Sequence, residues 1–571
     1  MNPVRIVDVN QSRHLESETD ARGHSYAAMM EDAGRNLARA IANRQAVDGQ
    51  PILILVGPGN NGGDVLVAAH YLHEAGAQVH AYLWQRRGEG DPNLERLRGD
   101  GISLVWSKDD VDRTTLRGCV RQAAVIVDAL LGVGISRAIE GELREILTIV
   151  QAELGALRTE STLMPSVPSV SFYPRVFAVD CPTGLNCDTG ELDPASLPAD
   201  VTVTFGCPKT GLLRFPGAEA VGEIVVADIG IPSDLLDPAW PQMVSPGAVA
   251  AALPPRPGAA HKGTFGKALI VAGSVNYTGA AALAGMGAAR VGTGLVTLAV
   301  PRPIHPAVAA QVPEVTYLLL PHDLGVISSN AFSILSKHLL DYDALLIGPG
   351  LGHERETAAF LQAMLGPDHT SGKGRLGFVD RTDAASAERP ALPPLVIDAD
   401  GLNLLAAIPE WWTGLPEGTI LTPHPGEMAR LMGDDTAVRS IQKDREGTAS
   451  RMAQAWNCVV ALKGAFTVIA APDGQLAVNP FANPGLATAG TGDVLAGAIV
   501  GFRAQGMGPY AAAMVGVYLH ALAGELAARD MGPTGMVASD LPARLPKALH
   551  LTRPTRATAA IPLEGPSGHE Q

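Results

Sequence analysis

The sequence predicts two doubly wound α/β domains in one chain. Strands that are apolar throughout and end in glycine recur with helical stretches between them, as a parallel sheet covered on both faces requires. In the first half these strands begin PILILVGPGNNGG, AAVIVDALLGVG and RVFAVDCPTG. In the second half they are ALIVAGS, YDALLIGPGLG, PLVIDADGLN, GTILTPHPGE and VVALKGAFTVIA. A chain of 571 residues is also too long for a single hydrophobic core.

The expected domain boundary is a stretch dense in proline and alanine that breaks the strand-helix alternation. We therefore expect a first domain over residues 1–230, a linker over 231–258 and a second domain over 259–550. Residues 551–571 are expected to form a disordered tail. Residues 158–174 and 367–390 are expected to be surface insertions.

The composition argues against a nucleic-acid-binding protein, a membrane protein and a disulfide-rich secreted protein. The net charge of −15 argues against a nucleic-acid partner. The most apolar stretch, 510–528, contains His520 and Glu525, so we expect a buried helix and no membrane span. The N-terminal residues have no apolar signal region, and five cysteines give no disulfide framework, so a cytoplasmic protein is expected. Cys181, Cys187 and Cys207 lack the paired spacing of a zinc site.

The sharpest N-terminal motif is GPGNNGGDV (57–65), directly after the strand PILILV. It lacks the GK[ST] ending of a triphosphate-binding P-loop. A glycine-rich turn that opens a helix lets the backbone approach a phosphate. Asn60, Asn61 and Asp64 would project from this turn. The alternative is a tight strand-helix turn capped by asparagine.

Two further strands end on polar residues. Asp128 ends AAVIVD, and Asp180 ends RVFAVD with Thr183 on the following turn. Each aspartate alone is often a helix cap. Three aligned strand ends that offer amide, carboxylate and hydroxyl oxygens would instead surround one site, and these oxygens suit an alkali cation or magnesium.

The motifs NNGGD, DALLGVGISR, AVDCPTGL and TFGCPKTGL, after the helix MMEDAGRNLARAI, resemble in order those of the NAD(P)H-hydrate epimerases. The resemblance spans residues 15–230 and implies a Rossmann-like fold with a potassium ion near the substrate. It implies that the potassium ligands are Asn61, Asp128 and Thr183. It implies that the substrate-binding residues are Asn60, Asn61, Gly62, Gly63, Asp64, Gly132, Val133, Gly134, Ile135, Ser136, Arg137, Ala138 and Asp180.

Epimerisation needs a group that moves a proton in the nicotinamide pocket. Asp180 is the candidate catalytic residue, and Lys209 of TFGCPKTGL is a second candidate. A solvated loop lysine is the alternative interpretation of Lys209. Cys181 and Thr183 stand where the family commonly has isoleucine and serine, and Thr183 keeps the hydroxyl.

The strongest signal in the chain is NPGLATAGTGDVLAG (483–497). Gly490, Thr491 and Gly492 would present a run of free backbone amides, here called the nest, at the start of a helix. Such a nest stabilises a transferring phosphoryl group. Asp493 beside it would take a proton from a substrate hydroxyl and is the second candidate catalytic residue.

Further polar residues follow the other C-terminal strands. His424 stands between two prolines, and Glu427 follows at a helix start. They are either ligand contacts or a helix cap with its charge. Asp398 and Asp400 end another strand, and the sequence does not separate helix caps from cation contacts there.

In order and wording, these C-terminal motifs resemble the ADP/ATP-dependent NAD(P)H-hydrate dehydratases over residues 255–547. The resemblance implies a ribokinase-like fold and ADP or ATP as co-substrate, with magnesium. It implies that the nucleotide-binding residues are Lys463, Gly464, Ala465, Phe466, Thr467 and Gly492. It implies that the residues contacting the hydrated cofactor are Ala281, Gly350, His424 and Asp493.

Together the resemblances imply repair of hydrated NADH and NADPH (NADHX and NADPHX). The first domain would interconvert the R and S hydrates, and the second would dehydrate the S form with ADP or ATP. A homo-oligomer is expected. The alternative is a ribokinase-like small-molecule kinase fused to a non-catalytic Rossmann-like module that binds a ligand or protein. The motif TPHPGE and the epimerase-like half argue against it.

Overall fold

The computed structural model describes residues 3–134, 137–162, 173–366 and 391–553. It divides into two compact domains, an N-terminal one ending at Met243 and a C-terminal one beginning at Val244. Residues 163–172 and 367–390, which fall in the predicted insertions, and residues 554–571 of the predicted tail lie outside the described part of the chain.

The N-terminal domain alternates strands and helices, as the glycine-ended apolar runs predict. Its strands are β1 (Val4–Arg5), β2 (Pro51–Val56), β3 (Gln78–Leu83), β4 (Ser103–Trp106), β5 (Val125–Ala129), β6 (Arg175–Val179), β7 (Val201–Phe205), β8 (Glu223–Ala227) and β9 (Gln242–Met243). Its helices are α1 (Val9–Ala21), α2 (Tyr26–Ala42), α3 (Asn60–Glu74), α4 (Pro92–Gly99), α5 (Thr114–Gln122) and α6 (Gly141–Thr162).

The main N-terminal sheet has the order β4-β3-β2-β5-β6-β7-β8, and every adjacent pair in it is parallel. Strand β5 is buried along its whole length because helices cover both faces. The strand order reverses between β2 and β5. In open α/β sheets ligands bind at this switch point, beyond the carboxyl ends of the strands.

The C-terminal domain has the same alternation, with more short elements. Its strands are β10 (Lys267–Val271), β11 (Leu295–Pro301), β12 (Thr316–Leu320), β13 (His322–Asp323), β14 (Val326–Ile327), β15 (Ala344–Ile347), β16 (Leu395–Ile397), β17 (Ile420–Leu421), β18 (Val459–Leu462), β19 (Val468–Ala470) and β20 (Leu476–Val478). Its helices are α7 (Pro246–Ala252), α8 (Thr278–Arg290), α9 (His305–Ala309), α10 (Phe332–Leu335), α11 (Arg355–Leu365), α12 (Asp400–Leu405), α13 (Pro425–Leu431), α14 (Val438–Lys443), α15 (Arg445–Trp456), α16 (Thr491–Ala504), α17 (Pro509–Met531) and α18 (Leu545–Thr552).

The C-terminal sheet runs β20-β19-β18-β17-β16-β15-β10-β11-β12. Strands β18 to β12 in this order are parallel, whereas β19 and β20 pair antiparallel at one edge. The predicted class, two doubly wound α/β domains, is therefore confirmed. The carboxyl ends of β16, β17 and β18 lie side by side, so the residues that follow them share one edge of the sheet.

Helices α16 and α17 lie in the C-terminal core. Helix α17 is the one helix in the described ranges that is long and apolar enough to cross a membrane, and 78% of its most apolar window is buried inside the protein. It is thus the interior helix that the sequence predicted.

The segment predicted as a linker, 231–258, is divided between the two domains. Its first part ends in β9, which pairs antiparallel with β1 in the N-terminal domain. Its second part contains α7, which begins after the Ser245 cap. Val244 and Val249 are 1% and 0% exposed and pack in the C-terminal core.

Candidate active sites

The glycine-rich turn after β2 opens helix α3 directly. The helix is capped by Gly59, which has no side chain, so the alternative of an asparagine cap is wrong. Asn60 is exposed, whereas Asn61 is buried. Gly62 has to be glycine, because a Cβ there would lie 2.1 Å from the carbonyl oxygen of Gly57. The turn therefore packs its own backbone tightly.

Asp128 at the end of β5 is fully buried and is held by Thr183. The Thr183 hydroxyl donates to Asp128 Oδ1 at 2.7 Å, and the Thr183 amide donates to Oδ2 at 2.8 Å. Burial raises the pKa of the Asp128 carboxyl above its ordinary value. No Lys, Arg or His nitrogen within the described ranges forms an ion pair with it. A buried carboxylate without a cationic partner is costly unless another cation compensates it.

Asn61 and Thr183 meet at the backbone of Leu131. The Asn61 amide nitrogen donates to the Leu131 carbonyl at 3.4 Å and to the Val179 carbonyl at 2.6 Å. The Leu131 amide donates to Thr183 Oγ1 at 3.0 Å. Asn61 Oδ1 faces the loop after β5, since a Cβ on Gly132 would lie 2.6 Å from it. The structure thus brings the three predicted potassium ligands together, and together they offer amide, carboxylate and hydroxyl oxygens, which are the ligands of hard cations.

The described residues contain no group of three or more His, Cys, Asp and Glu side chains that could hold a metal ion. The three cysteines considered above are buried free thiols. The mixed amide, carboxylate and hydroxyl set at the ends of β2, β5 and β6 therefore remains the candidate cation site.

Asp180 and Lys209 form a buried ion pair at the ends of β6 and β7. Lys209 Nζ lies 2.5 Å from Asp180 Oδ1, and the two side chains are 1% and 9% exposed. The same carboxylate oxygen accepts from Thr204 Oγ1 at 2.9 Å and from the Phe205 amide at 3.2 Å. The alternative that Lys209 is a solvated loop lysine is wrong.

This ion pair has two unusual features, a raised lysine pKa and a left-handed backbone at the aspartate. Burial acts to lower the pKa of the Lys209 ammonium, but the Asp180 carboxylate outweighs it and raises this pKa above the ordinary value. Asp180 has a φ of +63°, a left-handed conformation that costs a non-glycine residue about 1–2 kcal/mol. Strained residues of this kind concentrate at functional sites.

Two more carboxyls face this ion pair, and one of them was not predicted. Burial raises the pKa of Glu16 on α1, with Asp180 adding to the rise and Lys209 opposing it. Burial raises the pKa of Asp64 well above its ordinary value, and Asp180 and Glu16 add to this. Glu16 could not be found from the sequence, because it follows no strand end and only the fold places α1 against the crevice.

The loop after β5 lies at the same edge of the sheet. Gly132 and Val133 are half-buried, and Gly134, Arg137 and Ala138 are exposed. Ile135 and Ser136, which were also predicted to bind substrate, lie outside the described residues.

In the C-terminal domain, the nest forms at the start of α16. Gly490 adopts a φ of +90° and caps the helix. The Thr491 hydroxyl donates to the carbonyls of Leu486 at 2.8 Å and Thr488 at 2.9 Å, which fixes the turn. The Thr491 amide donates to the Thr488 carbonyl at 3.4 Å, so the prediction that it is free is wrong. In the described part of the chain, the amides of Gly490, Gly492 and Asp493 donate to no backbone carbonyl. These free amides at a helix N-terminus favour an anion.

His520 on α17 forms a hydrogen bond with the backbone of the nest. Its Nε2 lies 2.8 Å from the Thr491 carbonyl oxygen. Burial lowers the pKa of His520 to about 4, so the ring is neutral and Nε2 donates. His520 therefore fixes the first turn of α16 without adding charge.

Asp493 occupies the first turn of α16 beside the free amides. Burial raises the pKa of its carboxyl to about 7, Asp398 adds to the rise, and Lys463 opposes it. A carboxyl with a pKa near neutrality is suited to accept a proton from a hydroxyl and to release it again. The predicted base is therefore placed beside the predicted anion hole.

Lys463 and Asp398 form a second ion pair near the nest. Lys463 Nζ lies 2.6 Å from Asp398 Oδ1 and 3.6 Å from Glu427 Oε2. Asp398 therefore forms an ion pair with Lys463, and it is not the cap of α12, whose N-cap residue is Ala399. Asp400 instead accepts from the Gly352 amide at 2.9 Å. The two aspartates that the sequence could not separate thus have different roles.

His424 is the N-cap of α13. Its Nδ1 accepts from the amides of Gly426 at 3.0 Å and Glu427 at 3.3 Å, and Glu427 Oε2 accepts from the His424 amide at 2.8 Å. The cap interpretation of both residues is confirmed. Burial lowers the pKa of His424, so Nδ1 stays unprotonated and Nε2 carries the proton. The side chain is 51% exposed, and its Nε2 lies 3.5 Å from Glu427 Oε1.

The other predicted contacts differ in accessibility. Gly350 has a φ of +63°, and a Cβ there would lie 2.7 Å from the Cβ atoms of Tyr277 and Ala280. Ala281 is 0% exposed and belongs to the core, while its neighbour Ala280 is half-buried. In the predicted nucleotide loop 463–467, Gly464 and Ala465 are exposed.

Fold and sites define a two-domain α/β enzyme with an oxygen-lined crevice in one domain and an amide nest beside a carboxylate in the other. Two family models match the chain: one described as YjeF-related protein N-terminus over residues 26–211, and one described as NAD(P)H-hydrate dehydratase over 268–547. Each match lies within one domain.

Relatives match nearly the whole chain. A bifunctional NAD(P)H-hydrate repair enzyme of Moorella thermoacetica is 37% identical over 91% of this chain and 92% of its own length. One of Thermofilum pendens is 35% identical over 96% of this chain and 97% of its own length. The chain belongs to the family of bifunctional NAD(P)H-hydrate repair enzymes, in which an epimerase domain precedes a dehydratase domain.

Among solved structures, the C-terminal part is similar to an ADP/ATP-dependent NAD(P)H-hydrate dehydratase of Bacillus subtilis co-crystallised with ATP and Mg²⁺. The two are 31% identical, with 55% of this chain and 98% of that chain covered and a TM-score of 0.44.

Proposed function

We propose that the C-terminal domain dehydrates the S hydrate of NADH or NADPH with ADP as phosphoryl donor. The observation that carries this proposal is the position of Asp493 in the first turn of α16, beside the free amides of the nest. Its raised pKa of about 7 suits it to accept a proton there. Asp493 takes the proton of the C6 hydroxyl, and the hydroxyl oxygen attacks the terminal phosphorus of the nucleotide while AMP leaves. The amides of the nest stabilise the charge on the transferring phosphoryl group.

The phosphorylated hydroxyl then leaves as phosphate. The C6–O bond breaks, a proton is lost from the neighbouring ring carbon, and the dihydronicotinamide double bond is restored. This route turns a poor leaving group, hydroxide, into a good one. With ATP the same steps release ADP and phosphate.

The nucleotide enters as its magnesium complex in this proposal. Magnesium is commonly bound through substrate phosphates and one or two carboxylates, and the described residues offer no cage of three acidic or imidazole side chains. The loop 463–467 and Gly492 would contact the nucleotide, since Lys463 lies within this loop and faces the nest.

The N-terminal domain, we further propose, interconverts the R and S hydrates with potassium held by Asn61, Asp128 and Thr183. The fully buried carboxylate of Asp128 supports this, because its charge lacks a cationic partner in the described ranges. A bound potassium ion would compensate this charge and help fix the loops after β2 and β5.

Asp180 is the proposed proton-transferring group of the epimerase, with Lys209 holding it. The carboxylate opens at the end of β6, in the crevice beside the switch point of the sheet. Lys209 and the Thr204 hydroxyl occupy Oδ1, so Oδ2 is the oxygen left for the substrate. The residues of the turn 60–64 and the loop 132–138 would bind the rest of the hydrated dinucleotide.

Two sequence-based predictions become proposals about the whole chain: it is cytoplasmic and it forms a homo-oligomer. Cell fractionation and light scattering of the purified protein test them separately. The proposed function itself is tested by supplying a mixture of R and S NADPHX, ADP and Mg²⁺ and following the restored dihydronicotinamide. A first phase set by dehydration and a second set by epimerisation are expected.

A further inference from the structure

Asp398 combines two features that a merely structural buried carboxylate would not need. It is 1% exposed at the end of β16, and its Oδ1 accepts from Lys463 Nζ at 2.6 Å and Thr422 Oγ1 at 2.7 Å. Its Oδ2 is buried and has no hydrogen-bond partner in the described part of the chain. Leaving a buried carboxylate oxygen unpaired costs free energy, so a functional reason is expected.

The direction of the unpaired oxygen supplies this reason. A Cβ built on Gly492 would lie 3.9 Å from Asp398 Oδ2 and 3.6 Å from Lys463 Nζ. Both charged groups therefore lie directly against the backbone of the nest. Glycine at position 492 leaves that space open, so a transferred phosphoryl group at the nest would lie close to the Lys463 ammonium.

Resting on the proposed dehydratase activity, we propose that Asp398 is a positioning residue: it holds the Lys463 ammonium against the nest and places a fixed negative charge beside Asp493. The resemblance to known dehydratases assigned Lys463 to nucleotide contact and left Asp398 without a role. Lys463 thereby acts on the transferring phosphoryl group as well as on the bound nucleotide.

Charge balance agrees with this role. Burial acts to lower the pKa of Lys463, but Asp398 and Glu427 outweigh it, so the lysine stays an ammonium. Burial and then Asp398 raise the pKa of Asp493, Lys463 opposes them, and Asp400 and Glu427 contribute less. These charges act on Asp493 from the end of β16, from α12, from α13 and from the 463–467 loop.

A double-mutant cycle on kcat for dehydration of S NADPHX with ADP tests whether Asp398 acts through Lys463. We expect Asp398→Asn to lower kcat by about a hundredfold, comparable to the loss of one preorganised donor. Lys463→Gln should lower it similarly, and the double variant should lose little more than Lys463→Gln alone. Additive losses would overturn the positioning role. The double variant removes both charges of the Asp398–Lys463 ion pair, so it keeps the test valid if Asp398→Asn alone fails to fold.

The pH profile supplies a second measurement that a structural role would not change. Asp398→Asn should move the acid limb of kcat/KM to lower pH, because it removes a charge that raises the pKa of Asp493. The matched control Asp400→Asn should move it less. An unmoved limb with lowered thermal stability would mean a structural role and overturn the proposal. A raised magnesium requirement would make Asp398 a metal ligand and overturn it as well. An inactive wild-type chain would instead refute the dehydratase function.

Discussion

Lys209 Nζ lies 2.5 Å from Asp180 Oδ1, and both side chains are buried at the carboxyl edge of the N-terminal sheet. A buried ion pair of this kind is poor evidence for stability, because desolvation offsets the attraction between the charges. Its place beside the strained Asp180 backbone and the switch point of the sheet points to function instead. The C-terminal domain repeats the arrangement with Lys463 and Asp398 at 2.6 Å.

Asp180→Asn should slow conversion of the R hydrate at least about a hundredfold, because it removes the proposed proton-transferring group. Dehydration of the S hydrate should be unchanged. The test supplies an R/S mixture and compares the fast phase, set by dehydration, with the slow phase, set by epimerisation. If the slow phase is unchanged at every potassium concentration, Asp180 is not the catalytic group.

Asp128→Asn should act on the same slow phase in a different way. It removes the only charged member of the proposed potassium site, so the potassium concentration that gives half the maximal epimerisation rate should rise. Titrating potassium chloride against the variant and the wild type measures this. A potassium response identical to that of the wild type would refute the assignment of Asp128 as a ligand.

Strand ends explain how much of these sites the sequence could predict. Asp128, Asp180 and Asp493 stand beside glycine-rich turns, so the pattern alone placed them at the edges of two sheets. Lys209 was ambiguous because sequence does not report burial. The sequence could not predict that Glu16 faces Asp180 and Lys209, or that Lys463 pairs with Asp398. Only the fold brings α1 and the 463–467 loop against these residues.

Asp493→Asn should abolish dehydration while ADP still binds. Loss of a positioned base costs about a hundredfold or more, whereas the free amides of the nest and the 463–467 loop remain. Single-turnover kinetics and isothermal titration with ADP and Mg²⁺ separate the two effects. Activity within a few-fold of the wild type would contradict the assignment of Asp493 as the base.

The same carboxylate sets the pH dependence. The folded pKa of Asp493 is raised to about 7, and a base acts only when deprotonated. kcat/KM for dehydration should therefore be constant above about pH 7 and fall about tenfold per pH unit below it. An acid limb near the ordinary aspartate pKa of about 4 would show that the base has another environment.

Gly490→Ala should inactivate the dehydratase and destabilise the domain. Gly490 has a φ of +90°, and an added Cβ would lie 2.7 Å from Leu283 Cδ1. The matched control is Gly506→Ala, which has a φ of +86° and open space around the added Cβ. Gly506→Ala should lose about 1–2 kcal/mol of unfolding free energy because of its backbone conformation. Gly490→Ala should lose more because of the contact with Leu283, and only Gly490→Ala should lose dehydration. Equal activity in both variants would count against the nest.

The C-terminal domain should dehydrate the S hydrate by itself, provided that the fragment begins at Val244. A fragment that begins at residue 259 loses Val244 and Val249, which are 1% and 0% exposed. The burial of each valine stabilises the fold by roughly 2 kcal/mol, so this shorter fragment should melt at a lower temperature. Equal melting temperatures would show that α7 does not belong to the C-terminal core.

The central claim is that one chain restores both epimers of a hydrated cofactor. The direct measurement supplies the wild-type protein with R/S NADPHX, ADP, Mg²⁺ and potassium, and follows dihydronicotinamide absorbance, AMP and phosphate together. We predict complete conversion of both epimers, with NADPH, AMP and phosphate formed in equal amounts. A stable phosphorylated hydrate without NADPH would contradict the claim, and so would conversion that stops when the S fraction is consumed.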